Sequence, residues 1–220
     1  MCFSAHASFA AAATIGTLGS LSLSKAHVRK IIPLALTPLF FAFQQAFEGI
    51  VWLTINTDHT MFYTISTYCF LFFAGIFWPL WIPWSLFLIE TNRQRKKLLG
   101  CTIIIGFCSA IVGFVFWTQT GAIARVMNHH ITYDYAITGT FVEHWYAQLF
   151  QTVIYLMATV LPFFIASTRL MWIIGILVSI GFIVARIFYY YSSGSVWCFF
   201  AAIGSGMLYF IVKSYKKQGS

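Results

Sequence analysis

Seven apolar runs, each near the roughly 20 residues that an α-helix needs to cross a lipid bilayer, dominate this chain of 220 residues. Only 8% of the residues are charged, against about 25% in a soluble domain. A soluble fold would therefore expose large apolar patches, and the runs are too long for barrel strands. We predict an all-α integral membrane protein, a seven-transmembrane-helix bundle that forms a single membrane domain. The predicted helices cover about 5–23, 31–55, 60–89, 98–118, 144–166, 170–191 and 196–212, with an outer loop at 119–143.

The net charge of +8 does not indicate a nucleic-acid partner, because the basic residues fall in short clusters between the apolar runs. Such clusters set the orientation of a membrane protein, with the basic loops on the cytoplasmic side. Across seven spans, this rule predicts an N-terminus outside and a C-terminus in the cytoplasm. The predicted cytoplasmic side holds eleven of the 13 basic residues: Lys25, Arg29, Lys30, Arg93, Arg95, Lys96, Lys97, Arg169, Lys213, Lys216 and Lys217.

We expect the first run to be a membrane helix and not a signal peptide, because its positive charges follow it and do not precede it. No loop is long enough for an appended soluble domain. The sequence also lacks a P-loop, a GxSxG nucleophile elbow and an HExxH motif. These observations predict that any function lies within the membrane bundle.

The third run contains the stretch WPLWIPW at 78–84. Pro79 and Pro83 lack the backbone N–H that an α-helix uses to bond the carbonyl four residues earlier. We therefore expect a kink or break in the cytoplasmic half of this helix. A kink of this kind is commonly architectural, and a hinge is the alternative.

Strongly polar residues inside a predicted span are rare and tend to mark function. The second run contains FAFQQAFEGIVW, in which Gln44 and Glu48 share one helix face by their i, i+4 spacing. Gln45 and Trp52 fall beside that face. Glu48 is thus a candidate catalytic residue, and Gln44, Gln45 and Trp52 are candidate ligand-binding residues.

The sixth run contains one basic residue, Arg186, at about the same depth from the outer end as Glu48. An unpaired charge at that depth costs about 2.5–3.5 kcal/mol on insertion scales. We therefore expect the two side chains to face the bundle interior and to interact directly or through water. Two interpretations stay open: an ion pair that fixes helix packing, or a catalytic or gating pair that lines an outward-facing cavity.

More polar residues are expected at the same outer end. His144, Gln148 and Gln151 share one face of the fifth run by their spacing. Gln148 and Gln151 are candidate ligand-binding residues. Arg125, Asp134 and Glu143 lie in the outer loop, where they could gate a cavity.

Cys2 and His6 are spaced i, i+4 at the outer end of the first run. With His144 or Glu48 as a third ligand they form a candidate site for zinc or another transition metal, because thiolate and imidazole are ligands that such metals prefer. The alternative is a small buried cysteine and an interfacial histidine. Cys2 and Cys198 are the one plausible disulfide pair, since both lie near the outer surface.

The start MCFSA at 1–5 and the stretch QQxxEGxxW at 44–52 resemble motifs of an uncharacterised family of bacterial multi-pass membrane proteins. The resemblance covers the whole chain and implies residence in the bacterial inner (plasma) membrane. It supplies no activity, but it does imply that the two stretches belong together.

The sequence predicts an outward-facing polar cavity that binds a small molecule or lipid, and a metal-dependent membrane enzyme is one form of that hypothesis. The second hypothesis is a transporter or channel that uses Glu48 and Arg186 as gate or relay. The third is a membrane sensor or assembly subunit. The lipid bilayer is the expected surrounding, no nucleic-acid partner is expected, and the presence of a cofactor or a homo-oligomer stays open.

Overall fold

The computed structural model describes residues 4–56, 60–127, 129–134 and 144–215. Within these ranges, seven helical segments are long and apolar enough to span a membrane, which confirms the predicted helical bundle. Four of the segments are built from two or more consecutive helical elements. The helices are α1 (Ala5–Ser24), α2 (Ile32–Thr54), α3 (Met61–Phe72), α4 (Trp78–Ile89), α5 (Arg93–Thr120), α6 (Trp145–Thr159), α7 (Leu161–Ile165), α8 (Arg169–Phe188), α9 (Ser193–Ser205) and α10 (Leu208–Ser214).

The connections alternate between the two ends of the bundle. We call one end the basic end, where α1 is followed by α2, α4 by α5 and α7 by α8. We call the other the hairpin end, because the segment between α5 and α6 contains two strands there. Among the described basic residues, Arg125 and Arg186 belong to the hairpin end. The others belong to the basic end, as the sequence pattern predicts.

The outer face of the bundle is apolar. Large hydrophobic side chains are strongly exposed along its length, and Leu53, Phe62, Phe107 and Ile187 are examples. An apolar surface of this extent suits contact with lipid tails and not with water.

The hydroxyl groups on the exposed face of α1 are bonded within the helix. Thr14, Thr17 and Ser20 each donate to the carbonyl four residues earlier, at 2.8–2.9 Å. These bonds satisfy the hydroxyls without water. The face is therefore compatible with a lipid surrounding, although its residues are polar.

Small residues bring α1 and α2 close together in an antiparallel pair. A Cβ added at Gly16 would meet the Cβ of Ala42 at 3.4 Å, and one at Gly19 would meet Leu39 at 2.8 Å. Further along, Gly49 lies under the ring of Phe9. Small residues at such positions permit the tight van der Waals packing that joins helices in membranes.

The interruption expected in the third run is a π-helical segment, Phe73–Phe77, between α3 and α4. It directly precedes Pro79, so the irregular turn lies on the N-terminal side of the prolines and the helix continues through Pro83. Pro79 and Pro83 have no N–H for the carbonyls of Gly75 and Pro79, which lie four residues earlier in each case. A π-helical turn is a common cause of such irregularity.

Both of these carbonyls face glycines of α5. A Cβ added at Gly113 would lie 2.9 Å from the carbonyl oxygen of Gly75. A Cβ added at Gly106 would overlap the carbonyl oxygen of Pro79. The glycines let the backbone of α5 cover carbonyls that the prolines leave without a helical partner, so that lipid does not reach them.

The basic end is closed by hydrogen bonds to charged side chains. Glu90, directly after α4, accepts bonds from the backbone N–H of Asn92 at 2.8 Å and from the backbone N–H and hydroxyl of Ser167 at 2.8 and 2.7 Å. Arg95 donates to the carbonyls of Ile165 and Ala166 at 3.0 and 3.1 Å. The α4–α5 connection is thereby tied to the α7–α8 connection.

These bonds also change the titration of Glu90. Burial raises the pKa of the carboxyl, but the hydrogen bonds from Asn92 and Ser167 outweigh burial and bring the pKa below its ordinary value. The carboxylate form is therefore favoured in the folded protein.

Helix α5 begins earlier than its apolar run. Asn92 caps it by accepting bonds from the N–H groups of Gln94 and Arg95, so α5 starts at Arg93 and includes the basic cluster 93–97. An asparagine cap of this kind is a strong signal for a helix start.

The predicted outer loop contains an antiparallel hairpin of β1 (Ile123–Met127) and β2 (His130–Asp134). Its register pairs Arg125 with Thr132. The hydroxyl of Tyr63 in α3 accepts a bond from the N–H of Ala124 at 2.7 Å and donates to its carbonyl at 2.9 Å. The hairpin is thus fixed to the bundle and forms part of the hairpin end.

The inner face of the hairpin packs on the helices below it. Ala124 and Ile131 form an apolar cluster with Val51 and Tyr63, and Trp52 packs against this cluster. On β2, burial lowers the pKa of His130, and the nearby charge of His129 lowers it further. His130 is therefore favoured as the neutral imidazole.

Candidate functional site

A cleft of about 650 Å³ lies at the hairpin end, between the hairpin and the ends of α3, α6, α8 and α9. Its lining has an apolar part and a polar part. One part is apolar or aromatic and comes from Phe70, Leu71 and Ala74 of the third span and from Tyr190 and Tyr191 after α8. The polar part of the lining consists of Arg125, Asp134, Gln148, Arg186 and the serines 192, 193 and 195.

Arg186 lies on the wall of this cleft and is exposed, not buried in the bundle. Its guanidinium is 4.6 Å from the ring centroid of Tyr190, a cation–π contact. The expected interaction with Glu48, direct or through water, stays a prediction. The two residues lie at the same end of the bundle, but Arg186 is exposed in the cleft and Glu48 is completely buried.

Glu48 is completely buried on α2 and accepts a hydrogen bond from the hydroxyl of Ser195. Ser195 is in the first turn of α9 and also lines the cleft. Ser195 is thus the link between the buried carboxylate and the cleft that contains Arg186. The sequence gives little sign of this contact, because SSGS at 192–195 reads as a plain connector.

Gln44 and Gln45 are both fully buried, but their surroundings differ. The side-chain oxygen of Gln44 accepts a bond from the indole N–H of Trp78 at 2.7 Å. For Gln45, neither side-chain polar atom has a hydrogen-bond partner within the described part of the chain. Among the described residues, no hydrogen bond compensates the desolvation of the buried Gln45 amide, which is unusual in a folded protein.

The three other candidate ligand-binding residues are dispersed. Gln148 on α6 is exposed and lines the cleft. Gln151, one turn further, instead donates to the carbonyl and the hydroxyl of Ser109 on α5 at 3.2 and 3.4 Å. Trp52 packs under the hairpin. Of these three, Gln148 lines the cleft, Gln151 joins α6 to α5, and Trp52 packs α2 against the hairpin.

Of the candidate metal ligands Cys2, His6 and His144, the structure describes His6 and His144. Cys2 lies outside the described residues. His6 and His144 are exposed, and the ring of His144 stacks on Tyr146 with a centroid distance of 5.1 Å. Among the described residues there is no group of three or more His, Cys, Asp or Glu side chains that could hold a metal ion. The metal site is therefore not supported.

The candidate disulfide is not supported either. Cys198 is buried on α9 and carries a free thiol, and its proposed partner Cys2 lies outside the described residues. Gln44 lies beside the thiol. Cys198 thus belongs to the polar interior below the cleft and is not an outer-surface residue.

The sequence pattern does not decide whether the charged residues of the hairpin, Arg125 and Asp134, belong to the site. Arg125 on β1 is exposed and lines the same cleft as Arg186, and Asp134 ends β2 on the same wall. Their place in the outer loop was visible from the sequence, but their meeting with α8 and α9 depends on the hairpin.

The fold and its cleft define a class of protein with seven helices long and apolar enough to span a membrane and a polar cleft at one end of the bundle. The chain belongs to the family described as "Family of unknown function (DUF6629)", whose model matches residues 1–220. This match confirms the predicted membership of an uncharacterised family. No curated protein and no solved structure matches the chain.

Proposed function

We propose that this protein resides in the bacterial inner membrane, with its hairpin end outside, and binds a lipid or a small amphiphilic molecule in the cleft at that end. The observation that carries the proposal is the two-sided lining of the cleft. Ligand sites combine a mostly apolar wall with a few placed polar groups. Here Phe70, Leu71 and Tyr191 supply the apolar side, and Arg186 and Gln148 supply the polar side.

The orientation follows from the clustering of Lys and Arg at the basic end, since such clusters mark the cytoplasmic side. The measurement is a fusion of green fluorescent protein to the C-terminus, which fluoresces only when the C-terminus is cytoplasmic. A dark, full-length fusion would contradict the orientation.

Binding is preferred to transport because the interior of the described bundle offers little space for a ligand. The cavity next to Trp78 and Cys198 has a volume of about 40 Å³ and a mostly apolar lining. That volume corresponds to one or two water molecules. A ligand of the size of the cleft therefore does not fit this cavity.

The test fills the cleft without disturbing the helices. A Cβ added at Gly194, in the cleft wall, meets no atom within 4 Å, so Gly194→Leu is expected to fold. Gly100 on α5 is the matched control, because a Cβ there meets only Phe87 at 3.9 Å and the site is at the basic end. Native mass spectrometry of each protein, purified in mild detergent and exposed to a total lipid extract, reports the bound molecules.

Wild type and Gly100→Leu are expected to carry a bound lipid or small molecule, and Gly194→Leu is expected to lose it. If Gly194→Leu retains the same molecule at the same occupancy, the cleft is not its binding site. If wild type binds nothing from the extract, the proposal as a whole is wrong.

A further inference from the structure

The guanidinium N–H groups of the two cleft arginines are available to bind a ligand. Arg125 comes from β1 and Arg186 from α8, and both line the same cavity. In the described part of the chain, neither guanidinium forms a salt bridge or a hydrogen bond, and the one contact of Arg186 is with the face of the Tyr190 ring. A guanidinium stacked on a ring keeps its edge N–H groups available for an acceptor.

The charge of the lining favours an anion over a cation. Among the described residues, three charged side chains line the cleft, and two arginines and one aspartate, Asp134, give a net charge of +1. Glu48, which lies close to the cleft, is fully buried and accepts a hydrogen bond from the hydroxyl of Ser195. In the described lining, a cationic ligand would therefore meet two guanidinium groups and one accessible carboxylate.

The start of α9 adds neutral polar groups to the same wall. Its first residues Ser193, Gly194 and Ser195 line the cleft. A 3-10 turn, Tyr190–Ser192, runs directly into α9, so α9 does not begin with a free helix N-terminus here. The hydroxyl of Ser193 is a neutral hydrogen-bond donor on this wall.

We infer that the cleft selects an anionic headgroup, a phosphate or a carboxylate, which Arg125 from the hairpin and Arg186 from α8 hold. The inference rests on the proposed function and names the substrate class of that site. The apolar wall formed by Phe70, Leu71 and Tyr191 takes the hydrocarbon part of the ligand. Arginine is suited to both headgroups because it binds them through two parallel N–H bonds.

The experiment uses full-length protein in nanodiscs of a zwitterionic lipid. Three probes are titrated separately by isothermal calorimetry: dioctanoyl phosphatidic acid, inorganic phosphate and dioctanoyl glycerol, which has the same tails and no phosphate. The variants are Arg125→Gln, Arg186→Gln and their combination. The matched control is Arg93→Gln at the basic end, because Arg93 is equally exposed and makes no hydrogen bond in the described residues.

Each cleft variant is expected to weaken phosphatidic acid binding about tenfold or more, because a charge-assisted hydrogen bond of this kind contributes about 1.5–3 kcal/mol. The double variant is expected to lose about a hundredfold or more, and Arg93→Gln is expected to bind like wild type. Dioctanoyl glycerol should not bind measurably. Thermal unfolding of every variant within a few degrees of wild type shows that binding, not folding, has changed.

The probes separate the two sources of the anion. Binding of phosphatidic acid together with weak binding of phosphate identifies a lipid headgroup, whereas equally tight binding of phosphate identifies a free small anion. Equal binding of dioctanoyl glycerol, or unchanged binding in the double arginine variant, would overturn the anion inference. In that case loss of binding in Gly194→Leu still supports the cleft as the ligand site, so failure of the inference is distinguishable from failure of the proposed function.

Discussion

The two ends of the bundle treat their polar groups in opposite ways. At the basic end, Glu90 accepts three hydrogen bonds and Arg95 donates two, and these bonds tie two connections together. At the hairpin end, Arg125 and Arg186 have no acceptor among the described residues, and Gln45 is buried without a partner. Polar groups that stabilise a fold are satisfied, so groups left unsatisfied are more easily explained by function.

The largest expected effect concerns a glycine that packs against backbone. Gly106→Ala places a Cβ on the carbonyl oxygen of Pro79, which cannot move without shifting α4. We expect destabilisation of about 3 kcal/mol, at the upper end for overpacked sites. The measurement is unfolding in mixed detergent micelles.

Gly194→Ala at the hairpin end is the matched control, since its Cβ meets nothing within 4 Å. It is expected to change the free energy of unfolding by less than about 0.5 kcal/mol. Similar losses in both variants would mean that the cleft is as tightly packed as the helix contact.

The second prediction tests the closure of the basic end. Glu90→Gln should destabilise the protein by about 2 kcal/mol at pH 7, because it weakens hydrogen bonds to a charged acceptor. The pKa of Glu90 lies below its ordinary 4.5 in the folded protein. Its contribution is therefore complete above that value and disappears as the pH falls through the folded-state pKa.

Unfolding of wild type and Glu90→Gln should thus differ at pH 7 and converge in acid. Asp134→Asn at the hairpin end is the control, because Asp134 forms no hydrogen bond or salt bridge in the described residues, and a change below about 0.5 kcal/mol is expected at either pH. A difference for Glu90→Gln that persists unchanged in acid would show that the charge of Glu90 is not the cause.

The smallest effects distinguish two neighbouring amides at the hairpin end. Gln44→Met removes the acceptor of the Trp78 indole N–H, which is then buried without a partner, and should cost about 1–2 kcal/mol. Gln45→Met removes no hydrogen bond and should be neutral or slightly stabilising.

Paired unfolding measurements of the two variants decide this point. A loss in Gln45→Met as large as that in Gln44→Met would show that Gln45 has a stabilising partner after all. The two ends of the bundle would then differ less in how fully their polar groups are hydrogen-bonded.

The sequence predicts the bundle well because apolar length is a property of each helix by itself. The same reasoning places Gln44 and Glu48 on one face of α2, and both are buried. It does not decide whether Glu48 and Arg186 meet, because equal depth does not fix the rotation of α8 about its axis. Helix rotation depends on packing partners, and Ser195 is the residue that occupies the position beside Glu48.

The sequence predicts a polar cavity at this end but not the arrangement of its wall, for a related reason. Its wall requires Arg125 and Asp134 to be carried on a hairpin that Tyr63 fixes from another helix. The stretch 123–134 contains a few alternating residues but no strong turn signal such as Asn-Gly. A tertiary contact, not a local pattern, therefore positions the hairpin part of the site.

The glycines of α5 have a consequence for how the chain enters the bilayer. If α4 were released into lipid by itself, the carbonyls of Gly75 and Pro79 would face hydrocarbon, at a cost of several kcal/mol for each unsatisfied group. Gly106 and Gly113 cover them, and only three residues separate α4 from α5. The two helices are therefore expected to leave the insertion machinery as a pre-assembled pair, so biogenesis, and not only the final fold, depends on these two glycines.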